Sequence, residues 1–109
     1  MRSFYVYIMA SKRNGTLYVG STVDLIKRVW QHKQKVVPAF TATYNVHILV
    51  YYEIHQSYIE AARREKRFKN WPRQWKINTI EQLNSEWRDY TKIFAANQIV
   101  WMPRTSRVT

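Results

Sequence analysis

Hydrophobic and polar positions alternate near the start of the chain as they do in short β-strands. Two such runs, Phe4–Met9 and Thr16–Gly20, flank the dipeptide Asn14-Gly15. This dipeptide strongly favours a tight turn between paired strands. The pattern therefore predicts a β-hairpin that ends at Gly20.

Two turn lengths are open for this hairpin. One puts Ser11 opposite Tyr18, and the other puts Tyr7 opposite Tyr18. Both place Tyr7 and Tyr18 on the same face of the sheet, because side chains alternate faces along a strand.

The hydrophobic period then lengthens to that of a helix, which we expect to run from about Thr22 to Lys35. The segment that begins with Ser21 and Thr22 resembles a capping box, so either residue is expected to cap the helix. The predicted buried stripe consists of Leu25, Ile26, Val29 and Trp30.

Arg28 and His32 lie one turn apart at the edge of that stripe. They could meet Tyr7 and Tyr18 near the corner between strand and helix. In the alternative interpretation the tyrosines are core residues and Arg28 pairs with Asp24. The residues alone favour this second interpretation.

A third strand is predicted over Val46–Ile54, where both alternating faces are mainly apolar. This pattern favours a strand covered by helices on two sides over an exposed edge. His47 and His55 bracket the run and are expected to be structural or surface residues.

A second helix is predicted from Ser57, which opens a capping box, to about Asn70. Glu65 points along its apolar stripe, formed by Tyr58, Ala61, Ala62 and Phe68. A carboxylate that faces the body of a domain is costly unless it is paired or binds a metal. The residues alone slightly favour an ion pair, with Arg28 or a neighbouring lysine.

Pro72 suits the first turn of a third helix that ends near residue 84. Its predicted stripe consists of Trp75, Thr79, Ile80 and Leu83. Residues 95–109 lack a clear period and are expected to form a loose tail. The chain is thus predicted to be one α+β domain over residues 1–94, with a three-stranded, mostly antiparallel sheet flanked by helices in the order ββαβαα.

Charge narrows the class of partner. Lys and Arg number 18 against 7 Asp and Glu, which gives a net charge of +11 and a pI near 10.2. Such an excess favours nucleic acid. A phosphate-binding surface is predicted on Lys27, Arg63, Arg64, Arg67, Lys69, Arg73 and Lys76, within a basic tract that also contains Lys66.

Several classes of site and location are disfavoured by the composition. Cysteine is absent, which excludes disulfides and thiolate metal sites. We find no glycine-rich phosphate loop, no signal segment and no apolar run long enough to span a membrane. A cytoplasmic protein is expected.

Several motifs in order resemble the GIY-YIG nuclease domain, especially its small stand-alone bacterial members. They are Y-V-Y at Tyr5–Tyr7, L-Y-V-G at Leu17–Gly20, L-x-x-R-x-x-x-H at Leu25–His32, F-T-x-x-Y at Phe40–Tyr44, L-V-Y-Y-E at Leu49–Glu53 and A-x-x-R-E-K-x-x-K-x-W at Ala61–Trp71. Tyr5 stands where the family name has glycine. Asn84-Ser85-x-Trp87 is close to an N-P-x-W motif of the small members, and the resemblance spans about residues 4–88.

The resemblance implies a metal-dependent endonuclease in which water attacks a phosphodiester. Tyr18 or Tyr7 would assist deprotonation of the water, and His32 would relay a proton or orient Tyr18. Arg28 would stabilise charge on the phosphate. Glu65 matches the family's metal-binding glutamate and would hold Mg²⁺ or Mn²⁺. DNA is favoured over RNA as the substrate.

Two rival functions remain open at this stage. A nucleic-acid-binding module could keep the fold and the basic tract but cleave little. An interaction domain could instead bind an acidic protein through the same basic face.

Overall fold

The computed structural model describes residues 3–35 and 43–92 and shows a three-stranded antiparallel sheet with helices on both faces. The strands are β1 (Phe4–Ala10), β2 (Leu17–Thr22) and β3 (Ile48–His55), in the order β2-β1-β3. Helix α1 (Leu25–Lys33) follows β2. Helices α2 (Tyr58–Asn70) and α3 (Arg73–Leu83) follow β3. The predicted α+β class and the order ββαβαα are confirmed.

Strand β1 is the centre of the core. Val6–Ala10 are all fully buried, because β1 pairs on both sides and carries side chains towards both helical layers. Its two faces belong to two separate apolar clusters. One contains Val6 and Ile8 with Phe68 of α2 and Ile80 of α3, and the other contains Tyr7 and Met9 with Leu25 and Val29 of α1.

The prediction for the third strand is half right. Leu49 and Val50 join opposite clusters, so both faces of β3 are covered in its first half. Within the described residues, however, β3 forms an edge of the sheet and β1 takes the central place. Apolar residues on both faces reveal that helices cover a strand, but they do not reveal its neighbours within the sheet.

The hairpin has a register that differs from both predictions, because Ala10 pairs with Leu17 and Met9 with Tyr18. Residues 11–16 connect the strands, and Ser11 N donates to Thr16 O at 3.0 Å, so the turn itself is Lys12–Gly15. Asn14 takes a positive φ of 58°, and Gly15 N donates to Lys12 O at 2.9 Å. Neither predicted register is correct, yet Tyr7 and Tyr18 do share a face because Tyr7 and Met9 share one.

Helix α1 begins later than predicted. Ser21 and Thr22 belong to β2, which continues past Gly20, and Asp24 caps the helix by accepting a hydrogen bond from Lys27 N. The stripe is also shifted around the helix. Trp30 is 37% exposed, whereas His32 takes a buried place beside Val29.

The last two helices begin where expected. Ser57 caps α2 through Glu60 N, and Pro72 is the cap residue of α3. In α3, however, Trp75 and Leu83 are 54% and 74% exposed. The predicted stripe is wrong at those two positions because α3 packs through Ile77 and Ile80.

The segment after α3 returns to the sheet. Asn84 Nδ2 donates to Val50 O, Trp87 is buried, and Asp89 bonds Lys33 of α1 at 2.7 Å. The expected tail, residues 95–109, lies outside the described residues. No helix in residues 3–35 and 43–92 is long and apolar enough to cross a membrane.

Candidate active site

The site begins with the ring of Tyr7, which lies over Gly20 of the neighbouring strand. The two residues are paired across β1 and β2. A Cβ at Gly20 would lie 2.6 Å from the Tyr7 hydroxyl oxygen and 2.8 Å from its ring carbon Cζ. Any side chain at residue 20 would therefore displace the buried ring. Gly20 is needed for this close approach, not for an unusual φ.

Tyr7 contacts His32 on the same side of the sheet. Its hydroxyl lies 3.0 Å from His32 Nε2, and His32 is only 1% exposed. The ring of Tyr18 completes the group, with its centroid 5.1 Å from that of His32 and 6.3 Å from that of Tyr7. The sheet thus brings together three of the side chains predicted for the site.

His32 Nδ1 is buried and has no hydrogen-bond partner within the described residues. Whether His32 Nε2 or the Tyr7 hydroxyl donates in their hydrogen bond depends on the histidine tautomer. In either neutral tautomer the buried Nδ1 leaves a polar group unsatisfied, either an N–H or a lone pair.

Arg28 adds positive charge to this group. Burial raises the pKa of Tyr7 above its ordinary range and nearby Tyr18 adds to the rise, whereas Arg28 opposes it. Burial, together with the charge of Arg28, lowers the pKa of His32 to about 4. Asp24 caps α1, and no ion pair between Asp24 and Arg28 occurs among the described residues. The arginine thus acts on Tyr7 and His32, contrary to the expected structural pair.

Glu65 reaches the edge of the sheet from α2. Ser21 donates from Oγ to Glu65 Oε1, and Lys69 Nζ lies 2.6 Å from Oε2. The Glu65 side chain is 22% exposed, and its negative charge contributes to the raised pKa of Tyr7. The expectation of a lysine partner is confirmed, and that partner is one helical turn away.

The donor set around Glu65 fits a hard ion that keeps most of its water. No group of three or more His, Cys, Asp or Glu side chains suited to a metal occurs in the part of the chain that the structure describes. Mg²⁺ commonly uses one or two carboxylates and several waters. A single, partly exposed carboxylate is therefore compatible with Mg²⁺ and unsuited to zinc, which takes several protein ligands.

The predicted phosphate-binding cations differ in whether they are already engaged. A first group of three has partners within the protein. Arg64 Nε lies 2.8 Å from Glu53 Oε2, Lys69 pairs with Glu65, and Arg73 donates to the carbonyl oxygens of Asn14 and Gly15 at 2.7 Å.

The second group is exposed and has no ion pair or side-chain hydrogen bond with other described residues. It comprises three predicted cations, Lys27 on α1 with Arg63 and Arg67 on α2, and in addition Lys66 of the same basic tract. We call the three residues on α2 the basic strip. Lys76 is partly buried, and burial together with the charge of Arg73 lowers its pKa.

Comparison with known proteins now identifies the family. The family model of the GIY-YIG catalytic domain matches residues 3–78, which contain every predicted catalytic residue. The chain belongs to the GIY-YIG family. This is a family of nucleases that bind nucleic acid and generally use divalent metal ions.

Small bacterial proteins are among the relatives of this GIY-YIG protein. A UPF0213 protein of Staphylococcus haemolyticus is 38% identical over 82 residues, covering 75% of this chain and 99% of the relative. One from Bacillus pumilus is 34% identical over 82 residues, covering 75% and 83%. The solution NMR structure of a UPF0213 protein from Bacillus halodurans is similar with a TM-score of 0.51 and 26% identity, covering 84% of this chain and 96% of that one.

Sequence reasoning missed two residues that shape the GIY-YIG site. The hydrophobic pattern marks Gly20 as the end of a strand, although a glycine within a strand pattern often marks close approach of another group. Ser21 is predicted as a helix cap but instead donates a hydrogen bond to Glu65. Nothing in the local pattern around Ser21 could reveal a partner 44 residues away.

Proposed function

We propose that this protein is a metal-dependent endonuclease that hydrolyses phosphodiester bonds, with DNA favoured over RNA. The proposal is carried by one observation: Tyr7 and His32 meet under the charge of Arg28, and the Glu65 carboxylate lies near enough to affect Tyr7. The family supports the reaction class, and the net charge of +11 supports a polyanionic substrate.

The nucleophile in this proposal is water, and Tyr18 is the residue that assists its deprotonation. Tyr7 is completely buried, whereas Tyr18 is partly exposed and can be reached by solvent. Tyr7 and His32 lie against Tyr18 and fix its ring. A phenol is a weak base at neutral pH, so this step depends on nearby positive charge.

Arg28 is the proposed phosphate ligand. Its guanidinium is partly exposed and would stabilise the negative charge that develops on the phosphoryl oxygens. A phosphate bound there would offset the charge of Arg28 on His32. Because that charge is, after burial, a cause of the lowered His32 pKa, substrate binding would raise this pKa.

Glu65 is the residue that would hold Mg²⁺ or Mn²⁺. When bound, such an ion stabilises charge on the leaving oxygen of a phosphodiester. Ser21 would keep the carboxylate oriented, and Lys69 would have to leave Oε2 free.

The alternative function is a nucleic-acid-binding module with little or no catalysis. One observation favours it: Lys69 already pairs with Glu65, the residue that would hold the metal. The basic strip would serve this function equally well.

Cleavage assays on Glu65→Gln and Arg28→Ala test the nuclease. Each change should lower turnover at least a hundredfold, because a lost transition-state interaction of about 3 kcal/mol has that effect. Glu65→Gln should bind nucleic acid as tightly as wild type or more tightly, and Arg28→Ala slightly more weakly. Supercoiled plasmid and structured oligonucleotides, with Mg²⁺, Mn²⁺ or chelator, provide the substrates.

Glu60→Gln is the matched control for Glu65→Gln. Glu60 lies on the same helix with its side chain 63% exposed, so its loss should leave cleavage unchanged. Metal-dependent cleavage by a folded Glu65→Gln protein would overturn the metal assignment. Absence of cleavage by wild type on every substrate would leave the binding module as the better account.

A further inference from the structure

Three aromatic rings form a row from the core to the surface where α2 ends and α3 begins. Phe68 is completely buried, Trp71 packs partly buried against the core, and Trp75 is 54% exposed. Ring centroids are 4.7 Å apart for Phe68 and Trp71 and 5.8 Å apart for Trp71 and Trp75. The guanidinium of Arg64 lies 4.4 Å from the centroid of Phe68 at the inner end. We call Phe68, Trp71 and Trp75 the aromatic row.

Core packing does not explain Trp75. Helix α3 packs through Ile77 and Ile80, and Trp75 lies on the other side of the helix from Ile77. Its edge-on contact with Trp71, at an interplanar angle of 70°, supports the indole but leaves much of it open to solvent. A large ring supported in this way can stack on a partner with little loss of side-chain entropy.

The basic strip leads to this ring. Arg63 and Arg67 are one turn apart on the outer side of α2, and Trp71 follows Arg67 by another turn. Arg64, which is 5.3 Å from the Trp71 centroid, is already bound to Glu53. Two cations of the basic strip and the exposed indole thus flank the junction between α2 and α3, with Trp71 between them in the sequence.

Alternating cations and exposed aromatic rings are how proteins hold unpaired nucleotides, with phosphates on the cations and bases stacked on the rings. In a duplex the faces of the bases are covered by their neighbours, so an exposed indole has nothing to stack on along its length. An acidic protein could satisfy the cations but offers few planar faces to the ring.

We propose that Trp75 is a stacking site for an unpaired base, with the basic strip on the flanking phosphates, so that the protein prefers single-stranded nucleic acid to duplex. The proposal rests on the nucleic-acid function above and narrows its substrate class. Trp75 lies on α3, which carries none of the catalytic residues proposed above.

Fluorescence anisotropy with a labelled oligo-dT and a duplex of equal length tests the proposal, in chelator so that nothing is cleaved. Trp75→Ala should weaken single-strand binding about tenfold, which corresponds to one lost stacking contact. Binding to duplex should change less than twofold. Trp75→Phe keeps a ring and should retain most of the affinity.

Leu83→Ala is the matched control, since Leu83 is 74% exposed near the other end of α3. It should alter neither affinity. Thermal melting checks that Trp75→Ala is folded. If Trp75→Ala loses affinity equally for single strand and duplex, or for neither, the stacking site is overturned.

The results distinguish a wrong stacking site from a wrong assignment of nuclease activity. Trp75-dependent binding by a protein that never cleaves would retain the stacking site and overturn the enzyme. Binding that depends on the basic strip alone would retain nucleic acid as the partner and overturn the stacking site. Binding to neither nucleic acid would overturn both and favour an acidic protein as the partner of the basic strip.

Discussion

At the scale of single residues, the imidazole of His32 is a titratable group that the fold buries almost completely. It has one hydrogen bond, to Tyr7, and an unpartnered Nδ1 within the described residues. Protonation would bury a second N–H donor and place a positive charge beside Arg28. The folded protein therefore keeps this histidine neutral over most of the pH range.

This neutrality predicts a loss of stability in acid. The pKa of His32 falls from 6.5 in the unfolded chain to about 4 in the fold, so between these values the unfolded state binds more protons. Stability from this residue is complete above pH 6.5 and is lost progressively as the pH falls through 4, by about 3 kcal/mol in total. Denaturant unfolding of wild type and His32→Gln across pH 4–7 measures this loss of stability. The unfolding free energy of wild type should rise more steeply with pH than that of the variant, which lacks the titrating group.

An NMR titration provides an independent check on His32. The chain has three histidines, and one imidazole resonance, absent from His32→Gln, should titrate near pH 4. A His32 resonance that titrates near 6.5 would contradict the buried, neutral state.

The residues that could be predicted from sequence were those fixed by strand parity. Tyr7 and Tyr18 share a face in every register that differs from the predicted ones by an even number of residues. The observed register is one of these, so the shared face was predicted correctly although the register was wrong. The buried stripe of a helix is harder to predict, and in α1 it is shifted from the predicted Trp30 to His32. Trp30 is the more hydrophobic choice, but its size is accommodated at the surface and the smaller imidazole of His32 fits beneath the tyrosines.

At the scale of elements, two pieces of chain close the domain from opposite ends. Arg73 at the start of α3 bonds two carbonyl groups of the β1–β2 connection, and the segment after α3 bonds β3 and α1. Capping residues predicted the starts of α2 and α3 well, since a cap is a local signal. Arg73 bonds residues 58 and 59 positions away, and Asp89 bonds Lys33 56 positions away, so these partners could not be predicted from local patterns.

The segment after α3 gives the element-scale prediction. Truncation after Asn97 should leave thermal stability nearly unchanged, because it keeps buried Trp87 and the Asp89–Lys33 pair. Truncation after Asn84 removes both and should cost several kcal/mol, since loss of a buried aromatic side chain alone costs about 3–5 kcal/mol. Melting curves of the two proteins test this. A large loss of thermal stability on truncation after Asn97 would instead show that the removed residues, 98–109, dock on the domain.

At the scale of the whole molecule, the decisive property is the excess of positive charge and where it is free to act. The formal net charge is +11, yet Arg64, Lys69 and Arg73 are engaged within the fold. The sequence could predict the sign and the helix that carries the charge, but not which cations are already bound. The carboxylate of Glu53 accepts hydrogen bonds from Arg64 and from the Tyr51 hydroxyl. Glu53 lies on β3, 11 residues before Arg64, so this pairing is not visible in the helix sequence.

This division predicts how salt should affect binding. Each phosphate contact contributes a log–log slope of about −0.9 with duplex DNA and about −0.7 with a single strand. Replacing Arg63, Lys66 and Arg67 together by Gln should therefore flatten the single-strand slope by about 2. Arg64→Gln should act differently, by lowering stability, because it leaves Glu53 partly buried without its arginine.

A charge-matched variant makes the salt experiment specific. Lys35 just after α1, and Arg88 and Lys92 after α3, are exposed, and their replacement by Gln removes the same net charge. If the basic strip contacts phosphate, this control should lower affinity slightly through the overall field and leave the slope nearly unchanged. A flattened slope in the control and an unaltered slope in the strip variant would move the nucleic-acid surface from α2 to the face that carries α1.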